Sequence, residues 1–318
     1  MTSETVSCPL CKAQETAAIS ERDRKGNALQ TRLCLNCGLV FNNPIPDEAA
    51  LKRFYSEDYR RDYKNTEVPK LRHHVRYAKR VTAQIAANPG IYRKAHRILD
   101  IGSGSGEALA LFSKLGFEAE GVEPTRAYAE YVTQTFGCPV FCGSIDDFSV
   151  ERPFDFVRLH HVLEHMRDPV EKLQLISRLM SASGILHIEV PDFRGYCRSK
   201  SPGNVFHYGH IYNFCEETLL MTAARAGFRE VARHQPTSIY FKKAEPFETR
   251  ADPEAAKALQ DLYGEHRAGA FDKGRQSSGI RLFGRVRRVL KEQVEIGRLG
   301  SPARIIEHFA DQIAPVLR

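Results

Sequence analysis

The chain has 318 residues, 42% hydrophobic and 27% charged, which excludes a fibre or a disordered polymer and leaves room for one α/β domain with one or two small appendages. A formal net charge of +7 admits nucleic acid, anionic lipid or phosphorylated substrates as partners without choosing among them. The N-terminus lacks a basic segment followed by an apolar run, and no stretch approaches the roughly 18 apolar residues of a spanning helix, so the chain is expected to be cytoplasmic.

Residues 1–43 are organised by cysteine. Cys8-Pro9-Leu10-Cys11 and Cys34-Leu35-Asn36-Cys37 are two C-x-x-C pairs with 22 residues between them, close to the zinc-ribbon spacing. Two thiolates at that spacing converge in a tight knuckle, and two knuckles complete a closed tetrahedral shell around a structural Zn2+. A disulfide pair and a thioredoxin-like redox motif are the alternatives. A reducing compartment speaks against the first and the lack of a βαβ context against the second. Thr31-Arg32-Leu33 and Leu39-Val40-Phe41 read as short strands, and a module this small would draw much of its stability from the metal. Cys138, Cys142, Cys197 and Cys215 are scattered and read as buried thiols.

Residues 44–95 read as a helical linker. Asn42-Asn43-Pro44-Ile45-Pro46 breaks the chain, and Asp47 is placed to cap a helix through Leu51, Phe54 and Tyr55. A second helix is expected from Val68 to Ala87, basic on several faces through Lys70, Arg72, Arg76, Lys79 and Arg80.

Residues 96–245 alternate between strand and helix. Apolar runs at Ile98-Leu99, Ala119–Val122, Val140-Phe141, Phe154–Leu159 and Ile185–Val190 are separated by helical periodicity at Ala108–Leu115, Arg126–Phe136 and Val170–Met180, the rhythm of a parallel doubly wound sheet. Past Pro191 come a helix, Glu216–Ala226, and two strands, Phe228–His234 and Ser238–Lys243. The three residues between those strands force an antiparallel pair.

The first sheet strand runs into Asp100-Ile101-Gly102-Ser103-Gly104-Ser105-Gly106-Glu107, a glycine turn that opens a helix and lets backbone amides approach a ligand. The dinucleotide pattern G-x-G-x-x-G fails here. Asp100 would repel a pyrophosphate but suits the ammonium of a methionine-like group. Glu123 closes the next strand, 17 positions after Gly106, where a carboxylate can accept both ribose hydroxyls of an adenosine.

With these motifs go Phe41-Asn42-Asn43-Pro44, the run Phe154 to His165 ending Leu163-Glu164-His165, Asp168-Pro169, and the late His210-Ile211-Tyr212-Asn213-Phe214. Together they resemble the class I S-adenosylmethionine (SAM)-dependent methyltransferases, in the subgroup with an N-terminal zinc ribbon whose members methylate sugar nucleotides or glycans. The resemblance extends to about Lys243. It implies an α/β fold, a Rossmann-like seven-stranded sheet with a terminal antiparallel hairpin, joined to the ribbon.

By that resemblance Asp100 and Gly102 hold the methionine part of SAM, Gly104 and Gly106 permit close approach, and Glu123 with Pro124 holds the ribose. Ser144, Ile145 and Asp146 sit where the family contacts adenine, although Asp146 also suits a helix cap. His160 and His161 follow the fourth strand and line the transfer site, with one of the two expected to pack inward. Glu164 and His165 read as structural. The sulfonium is already activated, so the enzyme mainly aligns methyl and acceptor, and a base is needed only where the acceptor loses a proton. His161, His207 and His210 are the candidate bases, with His210 favoured because it matches the family's late histidine. Relatives that methylate sugar carbons carry Tyr-His-Glu-His where this chain has His207-Tyr208-Gly209-His210, which favours O-methylation over C-methylation.

Residues 246–318 read as a basic amphipathic helical tail. Lys273, Arg275, Arg281, Arg285, Arg287 and Arg288 face only Asp272 as an opposing charge. The stretch 267–291 suits an anionic membrane, a lipid-linked glycan or a partner subunit, or a solvated face packed on the body. Two rival readings stand beside a sugar or glycan methyltransferase. A nucleic-acid methyltransferase is disfavoured by Leu159-His160-His161 where base-flipping enzymes carry an Asn- or Asp-Pro-Pro-aromatic motif, and a non-catalytic scaffold by the intact Asp100, glycines and Glu123.

Overall fold

The computed structural model describes residues 3–4, 7–53, 69–271, 289, 292–294 and 296–318. The chain forms two compact units that interleave along the sequence. The first comprises Met1–Phe54, His161–Gln174 and Ile188–Ser277; the second comprises Tyr55–His160, Leu175–His187 and Ser278–Arg318.

The N-terminal strands are β1 (Ser3–Glu4), β2 (Thr16–Arg22), β3 (Ala28–Cys34), β4 (Val40–Asn42) and β5 (Ile45–Pro46). β2, β3 and β4 are antiparallel neighbours, and β1 pairs with β5. Leu29, Thr31 and Leu33 of β3 alternate inward, as a strand with one covered face requires. α1 (Glu48–Arg53) opens with Asp47 as its cap, the carboxylate accepting from Ala50 N at 2.6 Å. The remainder of the helix expected there, Phe54 and Tyr55 included, lies outside the described residues.

The α/β alternation is present: α2 (Leu71–Ala87), β6 (Arg97–Ile101), α3 (Glu107–Lys114), β7 (Glu118–Glu123), α4 (Arg126–Phe136), β8 (Val140–Cys142), β9 (Phe154–His160), α5 (Pro169–Arg178) and β10 (Met180–Glu189). β10 begins at Met180 rather than at the expected Ile185, because Ser181-Ala182-Ser183-Gly184 carries no apolar signal. Next come α6 (Phe193–Ser199), β11 (Tyr212–Asn213), α7 (Glu216–Arg225), β12 (Phe228–Gln235), β13 (Ser238–Lys243), α8 (Pro253–Arg267) and α9 (Pro302–Leu317).

The larger sheet has seven strands in the order β12-β13-β10-β9-β6-β7-β8. β6 pairs in parallel with β7 on one side and β9 on the other, and β12 with β13 forms the expected antiparallel hairpin. The chain moves outward from β6 through β7 to β8 and then returns to the far side of β6 as β9. That reversal places a topological switch point at the carboxyl ends of β6 and β9, where open α/β sheets bind ligands.

In the first unit the N-terminal strands share a core with later elements. Leu29, Leu33 and Val40 pack with Phe193 and Cys197 of α6 and with Leu259 of α8. β11 adds to the edge of β4, Tyr212 opposite Phe41 and Asn213 opposite Val40, giving the sheet β11-β4-β3-β2. In the second unit α9 turns Ile305, Ile306, Phe309 and Ile313 inward against α2 and α3. Most of the basic stretch 267–291 lies outside the described residues. Among those described, no helix is long and apolar enough to cross a membrane.

Candidate functional site

At the switch point β6 sets Asp100 in register with Arg158 of β9, so Arg158 Nη1 donates to Asp100 Oδ1 at 2.9 Å with both side chains buried. Burial pushes the Asp100 carboxyl above its ordinary value, against the opposing pull of the Arg158 guanidinium. Asp100 Oδ2 is buried with no protein donor, an acceptor suited to an ammonium group.

Beyond Asp100 the loop turns through left-handed Gly102, Gly104 and Gly106. A Cβ on Gly106 would lie 2.6 Å from Val132 Cγ2 of α4, so this glycine is required by helix packing. A Cβ on Gly104 would find nothing nearer than Gly102 O at 3.9 Å, so space lies open over that backbone. Glu123 Oε2 accepts from Gly104 N and Oε1 from Thr125 N, each at 2.9 Å. A carboxylate oxygen can accept two hydrogen bonds, so Glu123 can hold this loop and take ribose hydroxyls together. Pro124 is exposed at the start of the following turn.

Ser144 and Asp146 are exposed and Ile145 is buried. Ser144 is the cap of the single helical turn Ile145–Asp147: its oxygen accepts from Asp146 N at 3.3 Å and its hydroxyl donates to Asp146 Oδ2 at 2.8 Å. His160 ends β9 and is buried. Arg80 Nη1 stands 2.9 Å from its Nε2, and because a guanidinium only donates, Nε2 accepts and the ring is neutral. Tyr77 meets the same ring edge-on. Nothing in the sequence separates Tyr77 and Arg80 from the other polar residues of a basic helix.

The remaining histidines belong to the first unit. His161 adopts φ 55°, uncommon for a residue with a side chain, and its N–H donates to Glu189 O at 2.8 Å. The imidazole, 34% exposed, has Nδ1 3.4 Å from Glu164 Oε1 and Nε2 4.0 Å from Glu189 Oε1. Glu164 and His165 share one helical turn, Leu163–His165. His165 Nδ1 donates to Gly209 O at 2.5 Å, and its ring lies 4.8 Å from that of His210. His207 is buried, Nδ1 accepting from Gly209 N at 3.0 Å. His210 is 9% exposed; burial, with the neighbouring His165 and His207, pushes it well below the usual imidazole value. Thus the structure brings His207, His210 and His165 together and gives His161 two carboxylates. Glu189 had no sequence signal, since its pairing with His161 is tertiary, whereas Glu164, three residues beyond His161, stood in the Leu163-Glu164-His165 motif and read as structural.

Residues 71–233, half of the chain, match a family described as a methyltransferase domain. The chain belongs to that family. It is 29% identical over 120 residues, 33% of its length, to an uncharacterised methyltransferase of Schizosaccharomyces pombe, and spans 43% of that relative. Among solved structures it resembles the plantazolicin methyltransferase BpumL in complex with S-adenosylhomocysteine, at 16% identity and a TM-score of 0.45, covering 68% of this chain and 89% of that one. It also resembles magnesium protoporphyrin IX methyltransferase (ChlM) from Synechocystis PCC 6803, at 15% identity and a TM-score of 0.44, covering 61% and 97%.

The methyltransferase also carries the four cysteines as one cluster. Cys8 Sγ and Cys37 Sγ are 3.6 Å apart, Cys11 Sγ and Cys34 Sγ 3.4 Å, and all four sulfurs lie within 4.8 Å of one another. Four thiolates at about 2.3 Å from one zinc ion stand roughly 3.8 Å apart, so the cluster fits a zinc-ribbon-like site. The two knuckles close alike: Lys12 N donates to Cys8 O at 2.8 Å and Gly38 N to Cys34 O at 2.9 Å. Mutual hydrogen bonds and burial split the cluster, lowering the Cys34 thiol and raising those of Cys8 and Cys37.

Proposed function

We propose that this methyltransferase O-methylates a sugar nucleotide or a glycan, with His161 as the base, and that Zn2+ on Cys8, Cys11, Cys34 and Cys37 is structural. The single observation that carries the assignment of the base is the placement of His161, the most exposed imidazole of its cluster, against two buried carboxylates. With Nδ1 facing Glu164, Nε2 is the nitrogen that would take the proton of an acceptor hydroxyl.

SAM supplies a methyl group on a sulfonium that leaves as a neutral thioether. Asp100 Oδ2 would receive the ammonium of its methionine part, Gly102 and Gly104 would lie along the chain, and Glu123 would take the ribose. Ser144, Ile145 and Asp146 would lie toward the adenine. During transfer the acceptor oxygen bonds to the methyl carbon while His161 Nε2 takes the hydroxyl proton, and Glu164 stabilises the imidazolium so formed. His207 and His210, more deeply buried, position the surrounding loop. The choice of a sugar acceptor is supported by the ribbon, the Asn42-Asn43-Pro44 segment and the late histidine stretch of the sequence.

The test is transfer of labelled methyl groups to a panel of sugar nucleotides and extracted glycolipids. His161→Ala should lower turnover by about 10²–10⁴-fold with SAM affinity unchanged by calorimetry. Labelling of small peptides or porphyrins in place of sugars would reject the acceptor class, and full turnover by His161→Ala would reject the base.

A further inference from the structure

We infer that Glu164, His165 and His210 hold a divalent transition-metal ion, separate from the cysteine site. One ligand atom from each lies within 4.8 Å of the others. Glu164 is 1% exposed, and neither of its oxygens receives a hydrogen bond from the protein. The imidazole nitrogens beside it are His161 Nδ1 at 3.4 Å and His165 Nε2 at 3.8 Å, both beyond the roughly 2.7–2.9 Å of a charge-assisted hydrogen bond. A carboxylate so deeply placed calls for a compensating cation.

The tautomer of His165 sharpens the point. Its Nδ1 proton is committed to Gly209 O at 2.5 Å, so Nε2, 3.8 Å from Glu164 Oε1, is the nitrogen through which this ring would meet a metal. A histidine whose far nitrogen donates to a backbone carbonyl is also the usual support of a metal-binding imidazole. The His210 ring, 4.8 Å from that of His165, offers the third ligand. Bonds of about 2.1 Å put neighbouring ligands roughly 3.0–3.4 Å apart, so the three side chains close on an ion by rotating inward.

Two imidazoles and one carboxylate suit Fe2+, Mn2+, Co2+ or Zn2+ in preference to Ca2+ or Mg2+. Three protein ligands leave positions open for water or for an oxygen of the acceptor. The ion's contact with an acceptor rests on the methyltransferase reading, whereas its binding does not. Within the first unit it would tie the turn at Leu163–His165 to the loop carrying His207 and His210.

The experiment uses the full chain, its cysteines first filled with one equivalent of Zn2+, titrated anaerobically with Co2+. One further equivalent should bind saturably, with visible d–d bands and without sulfur-to-cobalt charge transfer. Glu164→Gln and His210→Gln should each weaken that uptake at least tenfold, with circular dichroism and SAM binding retained as evidence of an intact fold. Absence of a second equivalent in the wild-type protein overturns the inference, as does cobalt appearing only with sulfur charge transfer. Equal uptake by both variants overturns it too. Loss of SAM binding in the wild-type protein would count against the methyltransferase reading and leave the metal result standing.

Discussion

Gly104 and Gly106 are two residues apart in one loop and answer to different neighbours. Gly106 lies against Val132, where an added methyl would fall inside van der Waals contact, while Gly104 looks onto open space. Gly106→Ala should therefore cost about 2–4 kcal/mol of stability from overpacking and the left-handed backbone. Gly104→Ala should cost about 1 kcal/mol and lose tenfold or more in SAM affinity. Thermal melting and calorimetry on the two variants check this, and the reverse ranking in either measurement would refute the division of labour. The glycine pattern was legible in the sequence because it repeats a known loop. The reason for each glycine was not, because Val132 comes from another helix.

Among the elements, the β4–β11 pairing joins the cysteine module to the histidine loop. Asn42, fully buried, donates from Nδ2 to His210 O at 3.1 Å and accepts through Oδ1 from Thr31 at 3.2 Å, while its N–H reaches Ile211 O. Asn42→Ala should leave these groups unsatisfied at a cost of about 1–3 kcal/mol, lowering methyl transfer while SAM affinity stays constant. Unchanged turnover would show the loop to be held otherwise. A second junction links α2, α3 and α4: His74 Nδ1 lies 3.0 Å from Glu107 Oε1, and Tyr131 OH lies 3.0 Å from His74 Nε2. Burial raises the Glu107 carboxyl, but the hydrogen bond and charge of His74 outweigh it and leave the folded value lowered from 4.5. The contribution is therefore full above that ordinary value and fades as pH falls through the lowered one. Glu107→Gln should melt below the wild-type protein at pH 7, the gap closing as pH falls below 4.5 and through the lowered folded value; a gap independent of pH would rule out this linkage. Strand and helix periods announced most of these elements. Neither contact was readable, since each joins residues far apart in sequence through side-chain geometry alone.

For the molecule as a whole, composition and rhythm revealed an α/β sheet with a terminal hairpin, and cysteine spacing revealed a four-cysteine cluster that fits a metal site. What they did not reveal is the interleaving of two units. Amphipathic periodicity identifies a covered face without naming its cover, so α8 read as part of a tail, whereas Leu259 and Tyr263 fill the core beneath β3 and α6. Removing zinc with a chelator should accordingly raise amide exchange over residues 7–46 and 193–215 together, leaving β6, β7 and the glycine loop protected. Increased exchange confined to residues 7–46 would contradict the shared core.

The position of α9 has a consequence for biogenesis. This last helix covers α2 and α3 with Ile305, Ile306, Phe309 and Ile313, so a nascent polypeptide on the ribosome has translated β6 through β9 long before the helix that completes their layer emerges. The half with the cysteines needs nothing beyond residue 277. Translation therefore finishes that half first, and the half with the glycine loop reaches its final packing only once α9 has been made.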